Sequence, residues 1–179
     1  VAEGAIGFKI FMTTAPAGRF DEFEGLCLPE IPDLYQALRL VAETGLVCSV
    51  HAETEPLIQW HTEQLKAANR NDVPSHGESR PPHVEASAIA TLTSLNEAAG
   101  ANLHIAHVSS QHALETVRCF QRSGVSVTAE TCPHYLFFTE ADLERAGPYA
   151  KVNPPLRTPA DQTALWEGLV DGSLMAVTT

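Results

Sequence analysis

Positive charge is what this chain has least of: 11 Lys+Arg stand against 22 Asp+Glu, for a formal net charge of -11. Such a balance gives no electrostatic footprint for a phosphate backbone or an anionic lipid surface, so nucleic acid and membrane surfaces are excluded as expected partners. No apolar run approaches the roughly 20 residues of a membrane span, and the opening VAEGAIGFK lacks the basic segment and cleavage pattern of a secretory leader. The cytoplasm is the expected location. Cysteine is sparse too. Cys27, Cys48, Cys119 and Cys132 are widely spaced with no CxxC pair, which excludes a disulfide scaffold and a thiolate zinc cluster and predicts reduced thiols. A GxSxG elbow is missing, as are GxGxxG and GxxxxGK[ST] loops, which argues against a serine hydrolase and a nucleotide binder.

What is present is an alternation. With 179 residues, 44% of them hydrophobic, the chain is long enough for one sizeable core. Short β-branched runs alternate with stretches of helical period, the pattern of repeated βα units. AIGFKIFM (residues 5–12), LVCSVHA, NLHIAHV, VSVTAE and SLMAVTT read as five strands. Between them, LYQALRLVAE is a helix opened by Pro29 and Pro32 and closed before Gly45. Further helices are read over 56–68, over VEASAIATLTSLNEAA up to Gly100, over HALETVRCFQRS up to Gly124, over EADLERA and over DQTALWEGLV. The polar, Pro-rich NRNDVPSHGESRPPH is too long for a turn and reads as a loop over a site. Five βα units make neither a closed eight-stranded barrel nor a comfortable open sheet. The expectation is an α/β fold, with residues 1–179 as one domain that is a piece of something larger.

Three residues sit at or near the carboxyl ends of these strands, where parallel α/β proteins gather their chemistry: Lys9, His51 and His107. An ammonium on an apolar strand beside Phe8, Ile10 and Phe11 carries a desolvation penalty unless it is paired or chemically altered. A free amine formed in this way reacts with carbon dioxide to give a carbamate whose two oxygens can bridge two cations. Strict alternation of side chains predicts that His104 and His107, an odd number of positions apart, face opposite ways. His107 is then the site residue and His104 faces outward against a helix. His61, His76 and His83 carry less weight, His112 is expected on the surface at a helix start, and Cys132 as a small packed residue.

Six phrases, GFKIFM, VHAE, SRPPHVEASAI, HIAHVSS, VTAETCPHYL and KVNPPLR, occur in order over nearly the whole chain, and together they resemble the cyclic amidohydrolases: allantoinases, dihydroorotases and dihydropyrimidinases (hydantoinases). The resemblance implies a (β/α)8 barrel with two divalent metals, zinc being the usual one, bridged by a carboxylated lysine and a hydroxide. Lys9 then matches the bridging lysine, and His51 and His107 match ligands of the second metal. Asn153 falls where the family contacts its cyclic amide substrate, and Arg157 braces that loop. The implied reaction is hydrolysis of a cyclic amide C–N bond, allantoinase- or dihydroorotase-like, by a homo-oligomeric enzyme.

Two family features have no counterpart here: the His-x-His pair of the first strand, and the catalytic aspartate, expected just after Thr179. The chain therefore reads as roughly strands four to eight of the barrel, truncated at both ends and inactive by itself. FMTTAP stands where dihydropyrimidinases usually place a tyrosine, which ranks hydantoinase activity last. An inactive homologue acting as a scaffold is the alternative from another class.

Overall fold

The computed structural model describes residues 4–179. Strand β1 (Gly7–Phe11), helix α1 (Ile31–Ala42), strand β2 (Val47–His51) and helix α2 (Glu55–Ala67) open the fold, followed by the single turn α3 (Ser75–Glu78) and the long helix α4 (Pro82–Ala99). Then come β3 (Asn102–Ile105), α5 (Gln111–Arg122), β4 (Val127–Thr131), α6 (Pro133–Phe137), α7 (Glu140–Ala146), α8 (Pro159–Asp171) and β5 (Ala176–Val177). The five strands form one parallel sheet in the order β1-β2-β3-β4-β5. Parallel crossovers are right-handed almost without exception, and when successive strands always step the same way, that hand puts every crossover helix on one face of the sheet. This is how a (β/α) barrel is built, five-eighths of the way round, as the α/β alternation in the sequence predicts.

Burial separates the two faces. Ile10, Cys48, Val50, Leu103, Ile105, Val127 and Ala129 point to the helices and are buried against Leu34 and Leu38 of α1, Ile89 and Leu92 of α4, Leu114 and Val117 of α5 and Leu165 of α8. Each such aliphatic side chain contributes about 1.5–3 kcal/mol of transfer free energy, an upper figure because it is referred to an extended chain. The other parity, Lys9, Ser49, His104, Thr128 and Glu130, lines the opposite, inner face, on which register pairs Lys9 with Ser49, Ser49 with His104 and His104 with Thr128. Gly7 is required where β1 meets β2, because a Cβ there would lie 3.1 Å from the Val47 carbonyl oxygen.

Helix limits follow local chemistry. Pro32, Pro56, Pro82 and Pro159 sit in the first turns of their helices, where a missing N–H costs nothing. α8 begins with a reciprocal capping box between Thr158 and Asp161 and ends at Gly172 in the left-handed region. Several expected stretches are adjusted: the first strand covers 7–11 rather than 5–12, the third ends at 105 rather than 108, the fifth covers only 176–177 of 173–179, the Pro-rich loop contains α3, and the segment after β4 contains α6. No helix among the described residues is long and apolar enough to cross a membrane.

Candidate functional site

The carboxyl ends of β2 and β3 bring two imidazoles together. His51 is the last residue of β2, and His107 lies two residues past β3. His51 Nδ1 and His107 Nε2 stand 3.1 Å apart, with the rings edge to face at 4.8 Å between centroids. Two imidazole nitrogens bound to one tetrahedral zinc, each about 2.0–2.1 Å from it, lie about 3.3 Å apart. The pair therefore fits a shared divalent cation without rearrangement. Glu53 fixes the tautomer: its buried carboxylate accepts a hydrogen bond from His51 Nε2 at 2.9 Å, leaving the Nδ1 lone pair free to face His107. A carboxylate behind a histidine in this way is the usual support of a metal-binding imidazole. Arg80 Nε in turn lies 3.7 Å from the other Glu53 oxygen.

Electrostatics favour the neutral ligand form. Burial pushes the pKa of His107 well below the usual imidazole value, and the nearby His51 and Lys9 push it the same way. Lys9, half-buried on the inner face, has its own pKa lowered by burial, against the opposing pull of Glu130 and the thiols of Cys132 and Cys48. Its Nζ lies 5.3 Å from the centre of the Phe11 ring. Lysine in this setting is brought nearer to the free amine than a surface lysine is. Among the described residues no group of three or more His, Cys, Asp and Glu side chains could hold a metal ion. The paired donors at these strand ends are thus the two imidazoles, with Lys9 on the same inner face, where its charge pushes the His107 pKa down.

The expectation for His104 is corrected. It lies on the same inner face as Lys9, where Nδ1 meets the Thr128 hydroxyl at 2.8 Å and Nε2 meets Glu130 at 3.0 Å. Alternation fails as a guide because β3 ends at Ile105 and His107 adopts φ 46°, in the left-handed region. That reversal turns the His107 side chain back toward His51, so both histidines serve the same side of the sheet. Asn153 is exposed on the loop between residues 151 and 158, preceding a cis peptide bond to Pro154. His76 Nε2 sits 2.9 Å from the Val152 carbonyl, and Tyr135 donates its hydroxyl hydrogen to the Pro154 carbonyl at 2.6 Å, so that loop is gripped on both sides of Asn153. His61 and His83 face each other at 3.0 Å away from these groups, on α2 and α4. His112 is exposed in the first turn of α5, Cys132 is buried, and all four cysteines are free.

Sequence reasoning missed Glu53, Glu85 and Arg80. Glu85 is completely enclosed in α4, between buried Val84 and Ala86. A carboxylate on the buried stripe of a helix was the available signal, since isolated charges are not placed there without partners.

A parallel sheet with its helices on one side and its polar groups collected at the carboxyl ends of the strands has the layout of a barrel enzyme. Comparison with known proteins narrows the class. The chain is 37% identical over 174 residues to an allantoinase of Deinococcus radiodurans, a match covering 97% of the chain and 38% of that protein. It is also 37% identical to an L-hydantoinase of Paenarthrobacter aurescens, covering 94% of the chain and 36% of the relative. The solved structure of L-hydantoinase (dihydropyrimidinase) from Arthrobacter aurescens superposes with a TM-score of 0.90 at 35% identity, covering 99% of this chain and 38% of that one. No protein-family profile matches. By sequence and by fold the chain belongs to the cyclic amidohydrolases, and it spans a little under two-fifths of the length of the curated relatives it matches.

Proposed function

We propose that this chain carries a metal-binding part of the active site of a hydrolase that opens a cyclic amide (ureide) ring at its C–N bond. The observation that carries the reading is the convergence of His51 Nδ1 and His107 Nε2 at 3.1 Å, with a carboxylate behind one ring and a desolvated lysine nearby. In this reading His51 and His107 would hold a divalent cation, with zinc the expected identity, and Lys9, as a carbamate, would supply oxygen ligands to the centre. Carbamate formation is balanced: the neutral amine adds to carbon dioxide and one proton is released. Bound divalent ions would lower the pKa of a water and polarise the scissile carbonyl.

The chain's own residues do the rest of what can be assigned to it. Glu53 keeps the proton of His51 on Nε2, so that Nδ1 is presented as a donor. Burial keeps His107 uncharged at neutral pH. The 151–158 loop, anchored through Val152 and Pro154, offers Asn153 to a small cyclic amide. Allantoin and dihydroorotate are the favoured substrates on the motifs. The relatives leave the order open toward hydantoins, because an L-hydantoinase matches at the same identity as an allantoinase. A cytoplasmic homo-oligomer remains part of this proposal.

Elemental analysis of the full-length protein tests the reading. We expect about two divalent ions per subunit, most of them lost in Lys9→Ala, together with ring opening of allantoin, dihydroorotate or hydantoin when each is supplied with zinc. A protein that purifies and reconstitutes without metal, and opens none of the three rings, would show the proposal to be wrong.

A further inference from the structure

His107 is one of two non-glycine residues with positive φ among those described. That conformation is strained for a side-chain-bearing residue and persists only where its surroundings over-determine it. The surroundings here are specific. On one side, the Val108 N–H donates to the Glu130 carbonyl at 2.7 Å and the Thr131 hydroxyl donates to the Val108 carbonyl at 2.7 Å. On the other, Glu85 reaches out of α4 and accepts three hydrogen bonds: from the Ser109 N–H at 2.9 Å, the Ser109 hydroxyl at 2.7 Å and the Ser110 hydroxyl at 3.0 Å.

Arg157 closes the arrangement. Its Nε donates to Ser109 Oγ at 3.1 Å, its Nη2 lies 3.7 Å from Glu85 and its Nη1 donates to the Arg80 carbonyl. Arg80 leads through Glu53 to His51. A run of polar contacts thus extends from the His51 ring to Ser109, two residues past His107, with the Glu53–Arg80 step a 3.7 Å ion-pair spacing rather than a hydrogen bond, and Arg157 belongs to the same short loop as Asn153.

We propose that Glu85 is a positioning residue that holds the 107–110 turn in its left-handed form, and that Arg157 locks this turn to the Asn153 loop so that the His107 ligand and the substrate-contact loop keep one fixed spacing. The inference rests on the functional reading above for its consequences in catalysis, but not for the clamp itself. A buried carboxylate–guanidinium pair stabilises a fold weakly or not at all compared with apolar residues of similar volume. Its value lies in fixing position.

The test uses the full-length protein and its Glu85→Gln and Arg157→Lys variants, with three readouts: amide hydrogen exchange, the rate of zinc release to a chelator, and kcat against KM. In Glu85→Gln we expect faster exchange in the peptide spanning 106–112 with exchange in α1 unchanged, zinc release faster by about 10- to 100-fold, and a fall in kcat exceeding the change in KM. Arg157→Lys, which keeps the charge but loses the planar fork, should loosen the loop at 151–157 as well as the turn. Should Glu85→Gln fail to fold, Ser109→Ala removes the hydroxyl shared by both partners and must show the same local exchange. Unchanged exchange at 106–112, or a rise spread evenly over the molecule, overturns the inference. A wild-type protein that holds no metal and opens no ring, yet shows local loosening in Glu85→Gln, overturns the functional reading and leaves the clamp standing.

Discussion

Asn96 shows how much one side chain can settle. It is buried near the end of α4, where its Nδ2 donates to the Ala101 carbonyl at 2.9 Å and its Oδ1 accepts from the Ala101 N–H at 3.0 Å, across the left-handed Gly100. The side chain thereby mimics a strand partner for the residue that leads into β3. Asn96→Ala strands two buried backbone groups, and at about 1–3 kcal/mol for each the loss should be about 2–6 kcal/mol, read as a lower urea midpoint with an unchanged m-value. A cost below about 0.5 kcal/mol would mean that water replaces the amide. The placement of Lys9 on β1, His51 at the end of β2 and His107 just past β3 was legible at this scale, because the apolar runs that carry them are plain in the sequence. The orientation of His104 was not, because it turns on a single φ reversal at His107 that no alternation rule contains. Glu53 and Glu85 stand inside the phrases VHAE and SRPPHVEASAI: Glu53 lies two positions from the His51 ring it supports, so its partner was within reach of the sequence, whereas Glu85 acts on Ser109, 24 positions away.

Between elements, α8 lies close against its neighbours at Gly168. A Cβ added at Gly168 would fall 2.8 Å from Leu114 Cδ2 and 3.1 Å from Leu174 Cδ1, and both leucines are buried with little room to turn aside. Gly168→Ala should therefore destabilise the protein by up to about 2 kcal/mol: overpacking of about 1–3 kcal/mol is offset in part by a gain in helix propensity of roughly 1 kcal/mol. Thermal unfolding checks this, and an increased midpoint would show that α8 can shift outward freely. Elements were the most legible part of the chain. β2, α1, α5, α7 and α8 fall where hydrophobic period and Pro/Gly punctuation put them. α3 and α6 escaped notice because helices of four and five residues are too short to establish a period.

For the molecule as a whole, four histidines point to one pH response. Burial lowers the pKa of His61, His76, His107 and His134, with neighbouring His83 adding to the effect on His61. The folded state therefore takes up protons less readily than the unfolded chain, whose imidazoles titrate near pH 6.5. Stability is at its full value above that pH and declines as pH falls through it. Metal-stripped protein should show a urea midpoint that drops steadily between pH 7.5 and 5.5, above the range in which ordinary carboxylates titrate. A flat profile there would mean these rings are hydrated or paired in solution. The handed, one-directional order of the sheet has a further consequence for how the chain is made. Since spatial neighbours are also successive along the chain, each βα unit leaving the ribosome finds its docking partner already synthesised. Within these five strands assembly can then proceed vectorially, layer upon layer.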